Sequence, residues 1–397
     1  MALAALDHIP DDIPGFWDEI VRHFTGTGKA SPRVVIHGGY GKRNMGDDAL
    51  LHSIYTRVKR YLPDCRVTVI CHGPERIRPW YPEIATCHFK SMRALAAIFA
   101  SDLYIIGGGG IVNKINTYSG YMSLKILDMK GKFLFLAALA AKICGAVTVF
   151  YGIGATSFPD PVVKYLACFS LNRADYVSVR DPLSIENLRN AGVAKEMILV
   201  QDPALSLEPD DQGGAQMILA RLGLEPKERR QRPLVGLNLR YVGDPLVSNV
   251  RSLEEAVLLV QKLVRELNCD VLFLPISQHP DKHLEDDLDF GRQIQKRLAG
   301  DITVLSHYSV IAEYPHPKVF MALMKEMEMM ILSRLHSVIL GTKLGIPIVT
   351  VSYDDKVAQF VQLVGQKNRM ITLGEFSAAR VIPLVLALKL KESENAV

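Results

Sequence analysis

The sequence predicts an α/β protein built from two domains, and three observations lead to this fold class. The chain has 397 residues, which is long for a single hydrophobic core. Short runs rich in Val and Ile alternate with amphipathic segments, as in a mainly parallel sheet covered by helices. One charged segment rich in Pro and Gly interrupts this alternation, and we place the crossing between the two domains there.

Strands and helices alternate through the first half of the chain after a polar lead-in. The strand "RVVIHGGYG" enters a glycine turn, and the amphipathic helix "DDALLHSIYTRVKRYL" follows. The next predicted elements are the strand "RVTVIC", the helix "MRALAAIFA", the strand "DLYIIGGGG", the helix "FLFLAALAAKIC" and the strands "AVTVFYGIG", "YVSVRD" and "MILVQD". We therefore predict a helical lead-in over residues 1–32 and a Rossmann-like domain over residues 33–207.

The same alternation restarts after residues 208–232, which we interpret as the interdomain linker. Its elements are the strand "PLVGLNLR", the helix "SLEEAVLLVQKLVREL", the strand "DVLFLPIS", the helix "LDFGRQIQKRL" and a final strand–helix–strand unit. These elements predict a second Rossmann-like domain over residues 233–375, facing the first across a cleft. Residues 376–397 contain a last helix, for which packing against the first domain is one option.

Composition and charge exclude several classes of protein. The net charge of +4 falls short of the clustered Lys and Arg of a nucleic-acid binder, so we expect no nucleic-acid partner. Six cysteines form no C-x-x-C pair, as expected for reduced thiols. The longest apolar stretch is broken by Lys142 and Gly145, so it is typical of a helix followed by a strand rather than of a membrane span.

The N-terminus lacks the basic region of a signal peptide, and the expected localisation is cytoplasmic. Peripheral contact with the inner face of the membrane is left open, because the run "KERRQR" (Lys227–Arg232) could touch anionic lipid headgroups. A solvated linker is the alternative interpretation of this run. The oligomeric state cannot be predicted from the sequence.

The stretch "MMILSRLHSVILGTKLGIPIVTVSYDDK" places basic side chains at both ends of one buried unit. Met329–Leu332 and Ile346–Ser352 are predicted as strands, and the residues between them as a helix that a glycine ends. Arg334 and His336 then lie in the first turn of that helix, and Lys356 follows the second strand. In a parallel sheet both places lie at the edge where ligands collect. We therefore predict that an anionic ligand binds there.

His336 is a candidate proton carrier. The N-terminus of a helix and the neighbouring Arg334 both disfavour an imidazolium, and so favour a neutral imidazole that can take or give a proton. The alternative is a histidine with a purely structural role.

Two further arginines end predicted strands. Arg180 ends "YVSVR" and Arg240 ends "VGLNLR". Because arginine can bind carboxylate or phosphate through two parallel hydrogen bonds, both are candidate ligand-binding residues. A structural salt bridge is the alternative for each, as between Arg180 and Asp181.

Two glycine-rich segments are candidate contacts for a hydroxylated substrate. In "GGYGKRNMGDDALL", Asn44 and Asp47 could bind hydroxyl groups, although either aspartate of this turn could simply cap the helix. In "IIGGGGIVN", Gly108, Gly109 and Asn113 lie where a substrate could approach the backbone, and a flexible turn is the alternative. Neither segment has the G-x-G-x-x-G or P-loop spacing of a nucleotide site.

Other catalytic classes have little support. The sequence contains no G-x-S-x-G, and no cysteine lies in an obviously electropositive turn. The histidines lack Cys or carboxylate partners at ligand spacing, so we expect no metal and no cofactor.

Taken together, these motifs resemble the polysaccharide pyruvyl transferase family. The matching stretches are "GYGKRNMGDDALL", "DLYIIGGGGIVN", "YGIGATS", "VSVRDPLSIENLRNAGV", "VQDPAL" and, most specifically, "SRLHSVILGTKLGIPIVTVSYDDKV". The family hallmark is an R-L-H after a strand, a small apolar helix, G-[IV]-P and S-Y-D-x-K. The resemblance runs from about Val34 to Gly365. At "KRNMGDD" this sequence departs from the more usual F/Y-G-N-[IL]-G-D-E, which leaves the acceptor unidentified.

This resemblance implies a GT-B-like fold and an enzyme that uses phosphoenolpyruvate (PEP) as co-substrate. Its pyruvyl group would go to two hydroxyls of a sugar in a cell-surface polysaccharide or its precursor, with release of phosphate. Carried over by motif, the donor-binding residues are Arg180, Arg334, Leu335 and Lys356, and the catalytic residues are His336 and Lys356. The sugar or glycan acceptor, lipid-linked or not, is expected at Asn44, Asp47, Gly108, Gly109, Asn113 and Arg240.

Two other functions remain open on the sequence. A GT-B glycosyltransferase could use the same cations for the diphosphate of a nucleotide-sugar, although the E-x₇-E often seen in such C-terminal domains is absent between Arg334 and Ser352. A non-catalytic sugar- or anion-binding protein would bind ligand without releasing phosphate.

Overall fold

The computed structural model describes residues 3–112, 129–156, 158, 160–210, 212–240, 248–278 and 286–395. The chain divides into two compact units, each built around a parallel sheet, which confirms the predicted fold class. The N-terminal unit comprises His8–Lys42 and Gly46–Leu207. The C-terminal unit comprises Glu208–Val397 together with Met1–Asp7 and Arg43–Met45.

Seven parallel strands form the sheet of the N-terminal unit, in the order β3-β2-β1-β4-β5-β6-β7. They are β1 (Arg33–His37), β2 (Arg66–Cys71), β3 (Ala85–His88), β4 (Leu103–Val112), β5 (Val147–Ala155), β6 (Tyr176–Val179) and β7 (Ile198–Leu199). The helices are α1 (Phe16–Gly26), α2 (Met45–Tyr61), α3 (Pro74–Ile77), α4 (Met92–Ala100), α5 (Met129–Ile143), α6 (Pro161–Leu171) and α7 (Pro182–Ala191). Successive side chains of β1 enter two different apolar layers, Val34 and Ile36 in one and Val35 in the other.

Six parallel strands form the sheet of the C-terminal unit, in the order β10-β9-β8-β11-β12-β13. They are β8 (Leu234–Asn238), β9 (Asp270–Phe273), β10 (Tyr308–Val310), β11 (Met329–Leu332), β12 (Ile348–Ser352) and β13 (Met370–Thr372). The helices are α8 (Gly214–Arg221), α9 (Ser248–Arg265), α10 (Asp287–Leu298), α11 (Ile302–Leu305), α12 (Pro317–Lys325), α13 (Leu335–Lys343), α14 (Asp355–Leu363) and α15 (Ala378–Asn395). The predicted strand–helix–strand unit is therefore present as β11, α13 and β12.

Helix α13 lies very close to its sheet. At Gly341 an added Cβ would lie 2.6 Å from Met330 Cε and 2.8 Å from Ile348 Cδ1. Contacts this short do not occur between real atoms, so a larger residue at position 341 would require the ends of the Met330 and Ile348 side chains, or α13 itself, to shift.

Both segments that flank the predicted C-terminal domain pack within the C-terminal unit. The predicted linker contains α8, whose Gly214 approaches Val319 of α12. The final helix, α15, packs on α9, and its Val381 and Val385 belong to the core of this unit. The Ala378 N–H also donates to the Glu255 carboxylate of α9 at 2.8 Å.

The basic run at Lys227–Arg232 contains a buried ion cluster. The Arg230 side chain is only 4% exposed and contacts Glu326 at 2.8 Å and Glu328 at 3.3 Å. Arg232 contacts Asp270 at 3.1 Å. These two arginines are therefore held by carboxylates of the same unit, which differs from the interpretation of the run as a solvated linker.

We expect Arg230→Met to lower the free energy of unfolding by about 3 kcal/mol, because it leaves two partly buried carboxylates without their counter-charge. Urea unfolding of the full chain measures this effect. The neighbouring exposed arginine gives a matched control, since Arg229→Met should change the free energy by less than about 0.5 kcal/mol. Equal stability of the two variants would show that the buried cluster is dispensable.

A buried histidine ends β1 and makes the N-terminal unit sensitive to acid. His37 is 4% exposed, and its Nδ1 lies 2.5 Å from the Tyr104 hydroxyl. Burial lowers the pKa of His37 to about 3, because the surrounding protein cannot solvate an imidazolium. The unfolded chain, with a histidine pKa near ~6.5, binds this proton at a higher pH than the folded protein does. His37 therefore does not reduce the free energy of unfolding above about pH 6.5, and that free energy falls as the pH drops below this unfolded-state pKa.

We expect His37 alone to remove about 2 kcal/mol of stability between pH 7 and pH 5. His37→Gln should flatten this part of the pH dependence, since an amide can still bond to Tyr104 and does not titrate. Urea unfolding at both pH values checks the prediction. A second histidine with a lowered pKa, His316 at about 4, lies in the C-terminal unit, so some dependence should persist. An unchanged slope in the variant would contradict the assignment to His37.

None of the helices within the described ranges is both long and apolar enough to cross a lipid bilayer. Among the same residues, no group of three or more His, Cys, Asp or Glu side chains is arranged to hold a metal ion.

Candidate functional site

Three neighbouring strands of the C-terminal unit bring candidate residues to one sheet edge. Asn238 of β8, Leu332 of β11 and Thr350 of β12 are aligned in register. Because the strands are parallel, the residues that follow them leave the sheet at the same edge. Arg240 and Arg334 each lie two positions beyond this row. The structure thus brings together cations that the sequence placed at separate strand ends.

Arg334 is held by a buried carboxylate. Its Nε lies 2.7 and 2.9 Å from the two carboxylate oxygens of Asp287, and its Nη2 lies 2.6 Å from Oδ1. The Asp287 side chain is 1% exposed and that of Arg334 is 11% exposed. One edge of the guanidinium is therefore occupied by a short bidentate ion pair that fixes its orientation.

Asp287 and Asn238 form the polar centre of this edge. Asp287 also accepts from the backbone N–H groups of Ile276 and Ser277 at 3.1 and 3.0 Å. The Asn238 amide donates to Asp287 at 3.2 Å, and its oxygen accepts from the Arg334 N–H at 3.3 Å. Together these contacts hold the guanidinium and the backbone N–H of Arg334 and the chain after β9, so the buried polar groups satisfy one another.

Helix α13 starts directly after this network. Arg334 occupies its N-cap position with φ −80° and ψ 140°, and its side chain makes no capping hydrogen bond. Arginine has no acceptor atom, so it cannot satisfy the first N–H groups of the helix as an aspartate would. Leu335 is buried, and the half-buried His336 is the second residue of the helix. An anion at this position would meet N–H donors, a guanidinium and an imidazole.

Lys356 lies in the first turn of α14, after the carboxyl end of β12. Its Nζ contacts the Asp354 carboxylate at 3.1 Å, and its side chain is 24% exposed. Asp354 also caps the helix by accepting from the Lys356 N–H at 3.2 Å. Lys356 therefore reaches the predicted edge with a carboxylate beside it.

Arg240 follows β8 and lies over an aromatic ring. Its guanidinium carbon is 4.8 Å from the centroid of the Tyr353 ring, within cation–π range. It lines a small pocket at the sheet edge, which we call the Arg240 pocket and define by its lining residues: Leu239, Arg240, Ser252, Phe290, Ser333, Tyr353, Leu373 and Phe376.

Arg180 lies in the N-terminal unit, immediately after β6. Its Nη1 contacts Asp202 at 2.8 Å and its Nε lies 3.7 Å from Asp181, with only 5% of its side chain exposed. The salt bridge expected as the alternative is therefore present, mainly to Asp202. Asp181 caps α7 by accepting from the Ser184 N–H at 2.7 Å.

The glycine run "GGGG" lies inside strand β4, so the flexible turn given as the alternative is not observed. Gly108 and Gly109 belong to β4 and have φ values of 49° and 78°, which favour glycine. A Cβ at Gly108 would lie 2.9 Å from Leu50 of α2, and one at Gly109 would lie 3.2 Å from Asp47 Oδ1. Close packing against α2 accounts for both glycines, and Asp47 lies beside them.

The polar residues at the start of α2 and in the turn before it have two different roles. Asp48 is buried and accepts from the Gly41 N–H at 2.8 Å, so it stabilises the glycine turn. Asn44 groups with the C-terminal unit and forms an isolated antiparallel bridge with Ser277. Asn113, the remaining candidate acceptor residue, lies outside the described residues.

The sequence did not reveal two residues that organise the site, Asp287 and Asn238. In "HLEDDLDF" the buried Asp287 is one of four nearby acidic residues, and nothing in the pattern separates it from solvated ones. Its neighbour Asp286 caps α10, and burial raises the pKa of Asp286. A weak signal existed at Asn238, a polar residue at the end of an otherwise apolar strand.

Comparison with known proteins gives one family and one fold. The sequence model of the family described as polysaccharide pyruvyl transferase matches residues 44–355. A search of curated proteins finds no match.

Solved structures with two parallel-sheet domains resemble this one. The chain is similar to ADP-heptose lps heptosyltransferase II of E. coli, with 13% identity, a TM-score of 0.51 and coverage of 91% of this chain and 99% of that one. It is also similar to UDP-GlcNAc 2-epimerase from Methanocaldococcus jannaschii, with 12% identity, a TM-score of 0.55 and coverage of 89% and 91%. At these identities the likeness concerns the fold alone, and it confirms the predicted GT-B-like fold.

Proposed function

The chain belongs to the polysaccharide pyruvyl transferase family, and from that premise we propose that it moves the pyruvyl group of PEP onto two hydroxyls of a sugar. The sugar is part of a polysaccharide or its precursor, and inorganic phosphate is the second product. No resident metal or cofactor enters the proposal.

The first turn of α13 is the observation that carries this proposal. PEP has a phosphate and a carboxylate close together, with roughly three negative charges, so it requires several donors of fixed orientation. Arg334, oriented by Asp287, and the N–H groups at the start of α13 would bind its phosphate. Other helices of the same unit, α10 and α14, begin with a capping aspartate that would repel such a ligand.

In the proposed reaction, the methylene carbon of PEP first takes a proton and becomes a methyl group, which makes C2 electrophilic. A sugar hydroxyl adds to C2 and loses its proton, and the bond between C2 and the phosphate oxygen breaks. The second hydroxyl then adds to C2 and loses its proton, which closes the cyclic ketal. His336 gives and takes these protons, a role that contributes typically ~10²–10⁴-fold to a rate.

Lys356 and Arg180 have supporting roles in the proposal. Lys356 would use its ammonium to neutralise charge on the departing phosphate while Asp354 keeps the side chain at the sheet edge. Arg180 matches a donor-binding position of the family, and its pair with Asp202 would hold its guanidinium in one orientation.

Direct binding and product release test the proposal. Calorimetry with PEP should show binding, whereas UDP-, GDP- and CMP-sugars should not bind. Incubation with PEP and a panel of glycan acceptors should release phosphate and yield a product heavier by one pyruvyl ketal. Binding of a nucleotide-sugar in place of PEP would replace this function by glycosyl transfer. Binding of PEP with no phosphate release on any acceptor of the panel would favour a binding protein.

A further inference from the structure

Arg240 differs from the other candidate cations in its surroundings. Arg180, Arg334 and Lys356 each contact a carboxylate within 3.1 Å. Within the described part of the chain, Arg240 has no such ion pair, and its Nε is buried without a hydrogen-bond partner. Its guanidinium instead lies over the ring of Tyr353.

A buried donor without a partner costs stability, so its presence calls for a physical explanation. At Arg240 this cost is accompanied by a contact that restricts the side chain, because its guanidinium carbon lies 4.8 Å from the centroid of the Tyr353 ring. The side chain is thus already oriented, and binding an anion would require little further ordering.

The Arg240 pocket also restricts which anion fits. Leucine and phenylalanine side chains give it apolar walls, and its polar groups come from Arg240, Ser252, Ser333 and Tyr353. A carboxylate is planar and presents two oxygens at the spacing of the guanidinium fork. Apolar walls lower the local dielectric and strengthen that pair. A phosphate carries more charge, and the helix N-terminus and guanidinium at the start of α13 suit it better than these apolar walls do.

We propose that Arg240, oriented by Tyr353, binds the carboxylate of the enolpyruvyl donor. This assignment rests on the proposed function and moves Arg240 from the expected acceptor side to the donor. It follows from the position of Arg240 on the same sheet edge as Arg334, since β8 and β11 pair in register up to Asn238 and Leu332. Arg334 and α13 then bind the phosphate end of the same molecule.

The test compares PEP with vinyl phosphate, which is the donor without its carboxylate, on the wild-type protein and on Arg240→Met. Wild type should bind PEP at least about tenfold more tightly than vinyl phosphate, as expected for a charge-assisted hydrogen-bonded pair. Arg240→Met should bind both ligands equally, with an affinity for vinyl phosphate like that of wild type. Calorimetry gives all four affinities and isolates the coupling between Arg240 and the carboxylate.

Stability without ligand separates a binding role from a structural one. Because Arg240→Met removes an unsatisfied buried donor, the unliganded variant should unfold at the same urea concentration as wild type or a higher one. Arg380→Met is the matched control, since Arg380 of the same unit is 60% exposed and pairs with Glu375. Arg380→Met should bind PEP and vinyl phosphate with wild-type affinities and unfold at the wild-type urea midpoint.

Each contrary result has a distinct meaning. If wild type does not bind PEP, the proposed function fails and this assignment fails with it. If wild type binds PEP and Arg240→Met binds it equally well, only the assignment of Arg240 is wrong. An equal loss for PEP and vinyl phosphate would place Arg240 on the phosphate instead, and a destabilised unliganded variant would make Arg240 a structural residue.

Discussion

His336→Ala should lower the turnover number by about 10²–10⁴-fold, the usual contribution of a positioned general acid or base. Donor affinity should change far less, because Arg334 and the backbone N–H groups of α13 remain in place. The loss therefore appears in kcat and not in the dissociation constant for PEP, which is the pattern of an interaction made mainly in the transition state. Single-turnover phosphate release and calorimetry measure the two quantities separately.

His336→Gln sharpens this experiment. Glutamine keeps a hydrogen-bonding side chain of similar size but neither gains nor loses a proton at physiological pH. It should therefore be as slow as the alanine variant and should also lose the pH dependence of kcat. His23→Ala, at an exposed histidine of α1, is the control and should behave as wild type. Wild-type turnover in His336→Ala would exclude His336 as the proton carrier.

Asp287→Asn should lower the free energy of unfolding by about 3 kcal/mol, because it leaves the guanidinium of Arg334 buried without its counter-charge. The Asp287 carboxylate accepts hydrogen bonds from Arg334, Ile276 and Ser277. The amide group of the asparagine variant would place its own N–H donors against some of these donors, and the hydrogen bonds there would be lost. Urea unfolding measures this loss.

The same substitution should reduce kcat/KM for PEP by about 10²-fold, since Arg334 loses the contact that orients it and small displacements at a reacting centre are costly. Asp289→Asn is the matched control on the same helix. Its carboxylate accepts from Gln293 at 2.8 Å and is not part of the network, so both quantities should stay near wild type. If Asp287→Asn kept both its stability and its kcat/KM, the ion pair would neither stabilise the unit nor orient Arg334.

Local sequence patterns were sufficient for the fold and for part of the site. The strand at Met329–Leu332 was predicted with its observed limits, because four buried apolar residues in a row are typical of a covered parallel strand. The positions of Arg334, His336 and Lys356 followed from that strand and the next. The alignment of β8, β11 and β12 then explains why Arg240 lies at the same sheet edge.

Long-range pairing could not be predicted in the same way. The carboxylate that fixes Arg334 lies 47 positions earlier in the chain, and those of Arg230 lie about a hundred positions later. Periodicity reports which face of an element is apolar, but it does not report which charge meets which. For the same reason the charged residues 208–232 were interpreted as a linker, although α8 and Arg230 pack within the C-terminal unit.

The single hydrogen that forms the side chain of Gly341 has a consequence for redesigning this protein. Because this residue has no Cβ, α13 packs close to β11 and β12. The first turn of α13, with Arg334 and His336, lies at the other end of the same helix. A larger residue would press on the Met330 and Ile348 side chains, and any movement of α13 that follows would displace Arg334 and His336 together. Efforts to broaden the range of accepted donors should thus vary the residues at the carboxyl edge of the C-terminal sheet and keep Gly341.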